Sequence, residues 1–101
     1  VTVALQGDHG KPRPALVIQS DQFQVSTHVA VLLLTSFKAD APLLRLAIQA
    51  TAQTGLFNLS YVMLDRITTA PRSKIGRVIG RVDDATLLSV TRALAVVLGF
   101  A

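Results

Sequence analysis

The chain contains no cysteine, no tryptophan and no glutamate, and only two histidines. Without cysteine there is no disulfide, no thiol nucleophile and no zinc thiolate cluster, and His9 and His28 alone are too few for an ordinary histidine metal site. Neither metal catalysis nor a bound cofactor is expected. Five aromatic residues, four phenylalanines and Tyr61, fall short of the stacking platform that general single-strand binders use, although Tyr61 could stack on one base. Apolar runs are short as well. Residues 29–34 are far below the roughly 20 residues a membrane helix needs, and no basic-then-apolar signal opens the chain. A soluble cytoplasmic protein without membrane contact is expected. Internal repeats, heptads, Gly-x-Gly-x-x-Gly and the Gly-Lys-Ser/Thr end of a phosphate-cradling loop are also absent. No proline, glycine or serine run marks a linker, so residues 1–101 read as one domain.

Half of the residues are hydrophobic and 16% are charged. That apolar share is high for a chain this short and points to surface covered by a second subunit or another partner. Seven arginines and three lysines against six aspartates leave a net charge of +4, which permits a polyanionic partner. The most distinctive stretch is Lys11-Pro12-Arg13-Pro14, at the mouth of the apolar run 15–18. Each proline fixes its own φ and pushes the residue before it toward extended backbone, so Arg13 is held with little freedom. Its planar guanidinium can donate two hydrogen bonds to neighbouring oxygens of a phosphate or carboxylate.

Residues 1–5 read as a strand, joined to the strand at 15–19 through a glycine-rich tight loop at 6–10. Residues 28–35 form a second apolar strand, expected to be central and ending on Thr35. The alternation at 43–50 buries Leu44, Leu46 and Ile48 and turns Arg45 outward. Residues 60–65 read as a strand ending on Asp65, 67–70 as a short β segment stopped by Pro71, and 77–82 as the last strand. Asp83 is then placed to cap a helix, Asp84 to meet its positive end, and Gly99 to close it, with Leu87, Leu88, Val90, Leu94, Val97 and Leu98 at helical spacing. Several short strands, one terminal helix and no strand–helix alternation predict a mainly β fold with α, a small curved antiparallel sheet or barrel against which the C-terminal helix lies.

A curved sheet could gather Arg13, Thr35 and Asp65 at one rim. A cation, a hydroxyl donor and a carboxylate suffice for RNA phosphodiester cleavage, because the 2′-hydroxyl supplies its own nucleophile; a base must take its proton, and donors must stabilise charge on phosphorus. Each residue also has a plainer reading: a satisfied hydroxyl at Thr35, and a surface ion pair between Asp65 and Arg66. His9, beside Asp8 in a loop, titrates near neutrality and is a further acid or base, whereas His28 reads as structural.

Lys11-Pro12-Arg13-Pro14-Ala15-Leu16-Val17-Ile18, Val31-Leu32-Leu33-Leu34-Thr35, Val62-Met63-Leu64-Asp65-Arg66-Ile67-Thr68-Thr69 and Ile79-Gly80-Arg81-Val82-Asp83, in that order, resemble the MazF and PemK (Kid) toxins of bacterial toxin–antitoxin pairs. The resemblance implies an SH3-like barrel of the CcdB/MazF kind with a C-terminal helix, and a homodimer. It further implies a metal-independent endoribonuclease that cuts single-stranded RNA at short sequences, arrests growth, and is held inactive by a cognate antitoxin. Arg13 matches the arginine of the family's Arg-Pro motif and Thr35 its catalytic threonine, and Asp65 falls where PemK-type members place an acidic residue proposed as base. Lys11, His9, Ser36 and Arg66, neighbours of these three, are the candidate RNA contacts. The arginine that PemK-type members carry two residues before the acid is Met63 here, so its acid role shifts to Arg13. An alternative on the same fold is a CcdB-like toxin that binds DNA gyrase, although the ending Gly99-Phe100-Ala101 lacks the tryptophan such a protein uses. A third is a catalytically weak MazF-like member.

Overall fold

The apolar run that ends on Thr35 becomes β3 (His28–Thr35), the strand around which the sheet is laid. Its companions are β1 (Thr2–Gln6), β2 (Pro12–Val17), β4 (Arg45–Ile48), β5 (Ser60–Pro71) and β6 (Ile75–Gly80), with one helix, α1 (Asp84–Leu98). This computed structural model describes residues 1–6, 12–19, 26–37 and 44–100. The six strands run in the order β4-β5-β3-β2-β1-β6, every adjacent pair antiparallel. The expected hairpin is the β1–β2 pair, although its connecting loop, 7–11, lies outside the described residues.

β2 and β3 are apolar on both sides because both of their faces are buried. Leu16, Leu32 and Leu34 join Ile48, Leu56, Val62, Leu64, Val82 and Val90 in one cluster, while Ala15, Val29 and Val31 meet Val3 in a second. Period-two alternation sorts these neighbours onto opposite faces. Leu16 and Leu32 are fully buried, positions where truncation to alanine typically costs about 2–5 kcal/mol.

The sheet curls until its two edges meet, and the closure is made by a turn rather than by a β4–β6 ladder. The N–H of Arg81 donates to the Gln53 carbonyl at 2.8 Å, and the Thr2 hydroxyl to the Thr54 carbonyl at 2.8 Å. The buried Thr54 hydroxyl in turn donates to the Gln49 carbonyl at 2.8 Å and accepts from the Thr51 N–H at 3.0 Å. Gly55, with φ +70°, sits so close to β6 that a methyl group on it would overlap the Ile79 carbonyl. The expected barrel is thus present, sealed through residues 51–55.

Two expectations need correction. The segments 60–65 and 67–70 are one strand, but a bent one: β5 advances from Val62 to Ile67 while β3 advances only from Leu34 to Leu32. Asp65 and Arg66 occupy that excess, so the loss of apolar character there marks a bend and not an end. The helix has the expected caps, with Asp83 accepting from the Thr86 N–H at 2.7 Å and Gly99 at φ 82°. It packs on the sheet through Val90, with Ala93 and Leu94 beside it, whereas Leu87, Leu88, Val97 and Leu98 stay exposed. Among the described residues no helix is long and apolar enough to cross a membrane.

Candidate active site

The prolines of β2 create an opening in the sheet. Val17 donates its N–H to the Val1 carbonyl and Ile18 donates to Ala30 on β3, so by alternation the nitrogens of Pro12 and Pro14 face β3. Neither carries a hydrogen. The β2–β3 ladder accordingly pairs Ala15 with Leu33, Leu16 with Leu32 and Val17 with Val31, and stops there. Continuing that register places Arg13 opposite Thr35, on one face of the sheet, at the point where the strands are no longer tied.

Beyond the last rung lies a groove of about 320 Å³. Arg13 and Pro14 enter it from β2, Thr35 and Ser36 from the end of β3, Phe57 and Asn58 from the segment leading into β5, Ser60 from the start of β5, and Arg77 from β6, over an apolar floor of Leu34, Leu56 and Ile79. Ala4 of β1 lies between the strands bearing Arg13 and Arg77. With strands spaced at 4.7–4.9 Å the two arginine backbones stand about 10 Å apart, within joint reach of an anion on the floor. Among the described residues neither guanidinium has a hydrogen-bond or ion-pair partner. The Thr35 oxygen accepts from the Phe37 N–H at 3.2 Å, which fixes the hydroxyl and leaves its hydrogen free to donate.

The other expected residues are placed differently. Asp65 and Arg66 are not among the residues lining the groove. Asp65 accepts from the Arg45 guanidinium at 2.7 Å, and that contact holds its carboxyl below the ordinary value of 3.8. Arg45, expected to face outward, is instead a largely covered side chain at 13% exposure, also donating to the Leu44 carbonyl at 2.8 Å, with its Nε buried and unpartnered. It stands directly across the ladder from Met63. Tyr61 pairs with Thr35 across β3–β5 but does not line the groove. Lys11 and His9 lie outside the described residues.

Arg77, Phe57 and Asn58 were not singled out from sequence. Only the run 66–81, with five basic residues and no acidic one, hinted at a cationic edge. Two arginines, a primed hydroxyl and no described carboxylate or imidazole make the groove an anion site, suited to stabilising charge rather than shuttling protons.

The Arg45–Asp65 contact yields a pH prediction. Because the folded carboxyl ionises below its unfolded value, the pair stabilises the fold above that unfolded value and the stabilisation is lost as pH falls through the lower, folded one. Asp65→Asn should therefore lower the melting temperature at pH 7, where it leaves Arg45 without its carboxylate, and the gap to wild type should shrink as pH falls below 4. A gap that persists unchanged in acid would refute this account.

Residues 1–98 match the family described as PemK-like, MazF-like toxin of type II toxin-antitoxin system. A protein of Mycolicibacterium smegmatis named probable endoribonuclease MazF is 44% identical over 101 residues, spanning 99% of this chain and 93% of its own. The solved Mycobacterium tuberculosis toxin MazF-mt6 superposes with a TM-score of 0.84 at 23% identity, covering 97% of this chain and 95% of that one. A mycobacterial endoribonuclease in complex with its cognate antitoxin gives 0.81 at 24% identity, over 99% and 93%. At those identities the solved structures speak for the fold.

Proposed function

We propose, from the premise that this chain belongs to the PemK-like, MazF-like family of type II toxin–antitoxin toxins, that it is an endoribonuclease cleaving single-stranded RNA without a metal ion. The observation that carries the reading is the meeting of Arg13 and Thr35 in one groove. A scissile phosphate seated there takes the Arg13 fork and the Thr35 hydroxyl on its non-bridging oxygens. The 2′-oxygen bonds to phosphorus, the bond to the 5′-oxygen breaks, and the leaving oxygen takes a proton from water, giving a 2′,3′-cyclic phosphate and a 5′-hydroxyl. Both donors strengthen their hold as negative charge grows on phosphorus, which is where stabilisation lowers the barrier. Arg77 binds the neighbouring phosphate, and Ser36 donates beside Thr35.

Asp65 is assigned a different part from the base that the resemblance implies. It holds β4 to the bend of β5 through Arg45, and a carboxyl kept below its ordinary value is a weaker base. The 2′-hydroxyl proton passes to water or hydroxide. The protein acts in the cytoplasm as a homodimer, and a cognate antitoxin rich in acids competes with RNA for the two groove arginines.

The test is incubation of purified protein with a long single-stranded RNA in excess EDTA, with sequencing of the fragment ends. Recurring cuts that leave 5′-hydroxyls are expected. Absence of cutting by folded protein would sink the reading, and inhibition of gyrase supercoiling by the same sample would establish the CcdB-like alternative.

A further inference from the structure

One aromatic side chain of the groove has no part in the cleavage chemistry. Phe57 lines the groove yet is 95% exposed. A phenyl ring left almost wholly in water contributes nothing to the core and is suited to meeting a partner surface.

The segment that carries it is fixed on both sides. Upstream, the Thr54 hydroxyl ties residues 49–54 together and Gly55 is wedged against the Ile79 carbonyl. Downstream, the Ser60 hydroxyl donates to the Asn58 carbonyl at 2.9 Å. The backbone that presents Phe57 is therefore held in place, and the ring's own rotation is the main freedom lost when something stacks on it. Asn58, next to it, also lines the groove, with its side-chain amide unpartnered among the described residues. An amide offers a donor and an acceptor side by side, matching the edge of a nucleobase.

We propose that Phe57 and Asn58 form a base-reading subsite: Phe57 stacks on the nucleobase beside the scissile phosphate, and Asn58 hydrogen-bonds its edge and sets one position of the recognition sequence. Two arginines in the same groove favour a nucleotide over an apolar peptide, because ring and phosphate are bound together. The proposal rests on the endoribonuclease reading above.

The test uses wild type, Phe57→Ala, Phe57→Trp and Asn58→Ala. Cut sites are mapped on a long single-stranded RNA, and kcat/KM is measured on the preferred oligonucleotide and on its single-base variants. Phe57→Ala should lower kcat/KM on the preferred sequence by about 5- to 100-fold, the range expected from losing one stacked base, and Phe57→Trp should restore most of it. Asn58→Ala should flatten the preference at a single position by roughly tenfold and leave the others unchanged. If both alanine variants cut the wild-type set with wild-type preference, the subsite is refuted while the nuclease stands. A wild type that cuts nothing overturns both. A fall in melting temperature with Phe57→Ala would make the ring structural, and unchanged cutting with lost binding of a partner protein would make it a protein contact; either result overturns the proposal.

Discussion

Arg13→Ala should slow single-turnover RNA cleavage by about 10²–10³-fold, the usual penalty for deleting one preorganised donor to a developing anion. The effect should fall on the chemical step more than on binding, because the guanidinium meets more charge in the pentacoordinate state than in the bound diester. Arg13→Lys should recover only part of the loss, since an ammonium keeps the charge and forfeits the two-point fork. Thr35→Ala should produce a loss of similar order and Thr35→Ser a much smaller one, because serine retains the hydroxyl that accepts from Phe37 and donates onward. The two alanine substitutions should combine less than additively, as groups acting on one transition state do. Wild-type rates from Arg13→Ala, with melting temperature unchanged, would remove the groove from the mechanism.

The second large effect concerns the seam of the barrel. Gly55 and Gly99 share a left-handed backbone, at φ +70° and +82°, but their surroundings differ: an added methyl overlaps the Ile79 carbonyl at Gly55 and meets nothing within 4 Å at Gly99. Gly99→Ala should therefore cost about 1 kcal/mol, the conformational penalty alone. Gly55→Ala should cost about 3 kcal/mol or more, because backbone must move to admit the methyl. That is a large part of the 5–15 kcal/mol by which a domain is stable. Urea titration of the two variants compares them directly, and equal losses would show that crowding at the seam is unimportant.

Local chemistry explains which parts could be read in advance. The helix ends were legible because Asp83 and Gly99 are capping residues whose effect needs no tertiary contact. β3 was legible because a strand buried on both faces is uniformly apolar, and its register with β2 then brings Arg13 and Thr35 together. Arg45 was misread for the opposite reason. Alternation does put it on the outer face of β4, but Asp65, on the same face of β5 two residues beyond its partner Met63, reaches over it. Arg77 and Phe57 are 20 residues apart in the chain and share a groove solely because the sheet curls, a property of six strands together. The exposed leucines of α1 follow the helical period faithfully; periodicity reports a stripe, not how wide a surface will cover it.

The missing hydrogens of Pro12 and Pro14 have a consequence for the seam between β2 and β3. A gap between neighbouring strands normally heals, because main-chain donors and acceptors that face each other close up whenever no ligand keeps them apart. Here one of the two hydrogen bonds of the Pro14–Leu34 pair is chemically impossible, and no rotation or breathing of the backbone can supply the missing donor. Closing the strands at that pair therefore gains less than at an ordinary rung, and an anion arriving between β2 and β3 has correspondingly little pairing to displace.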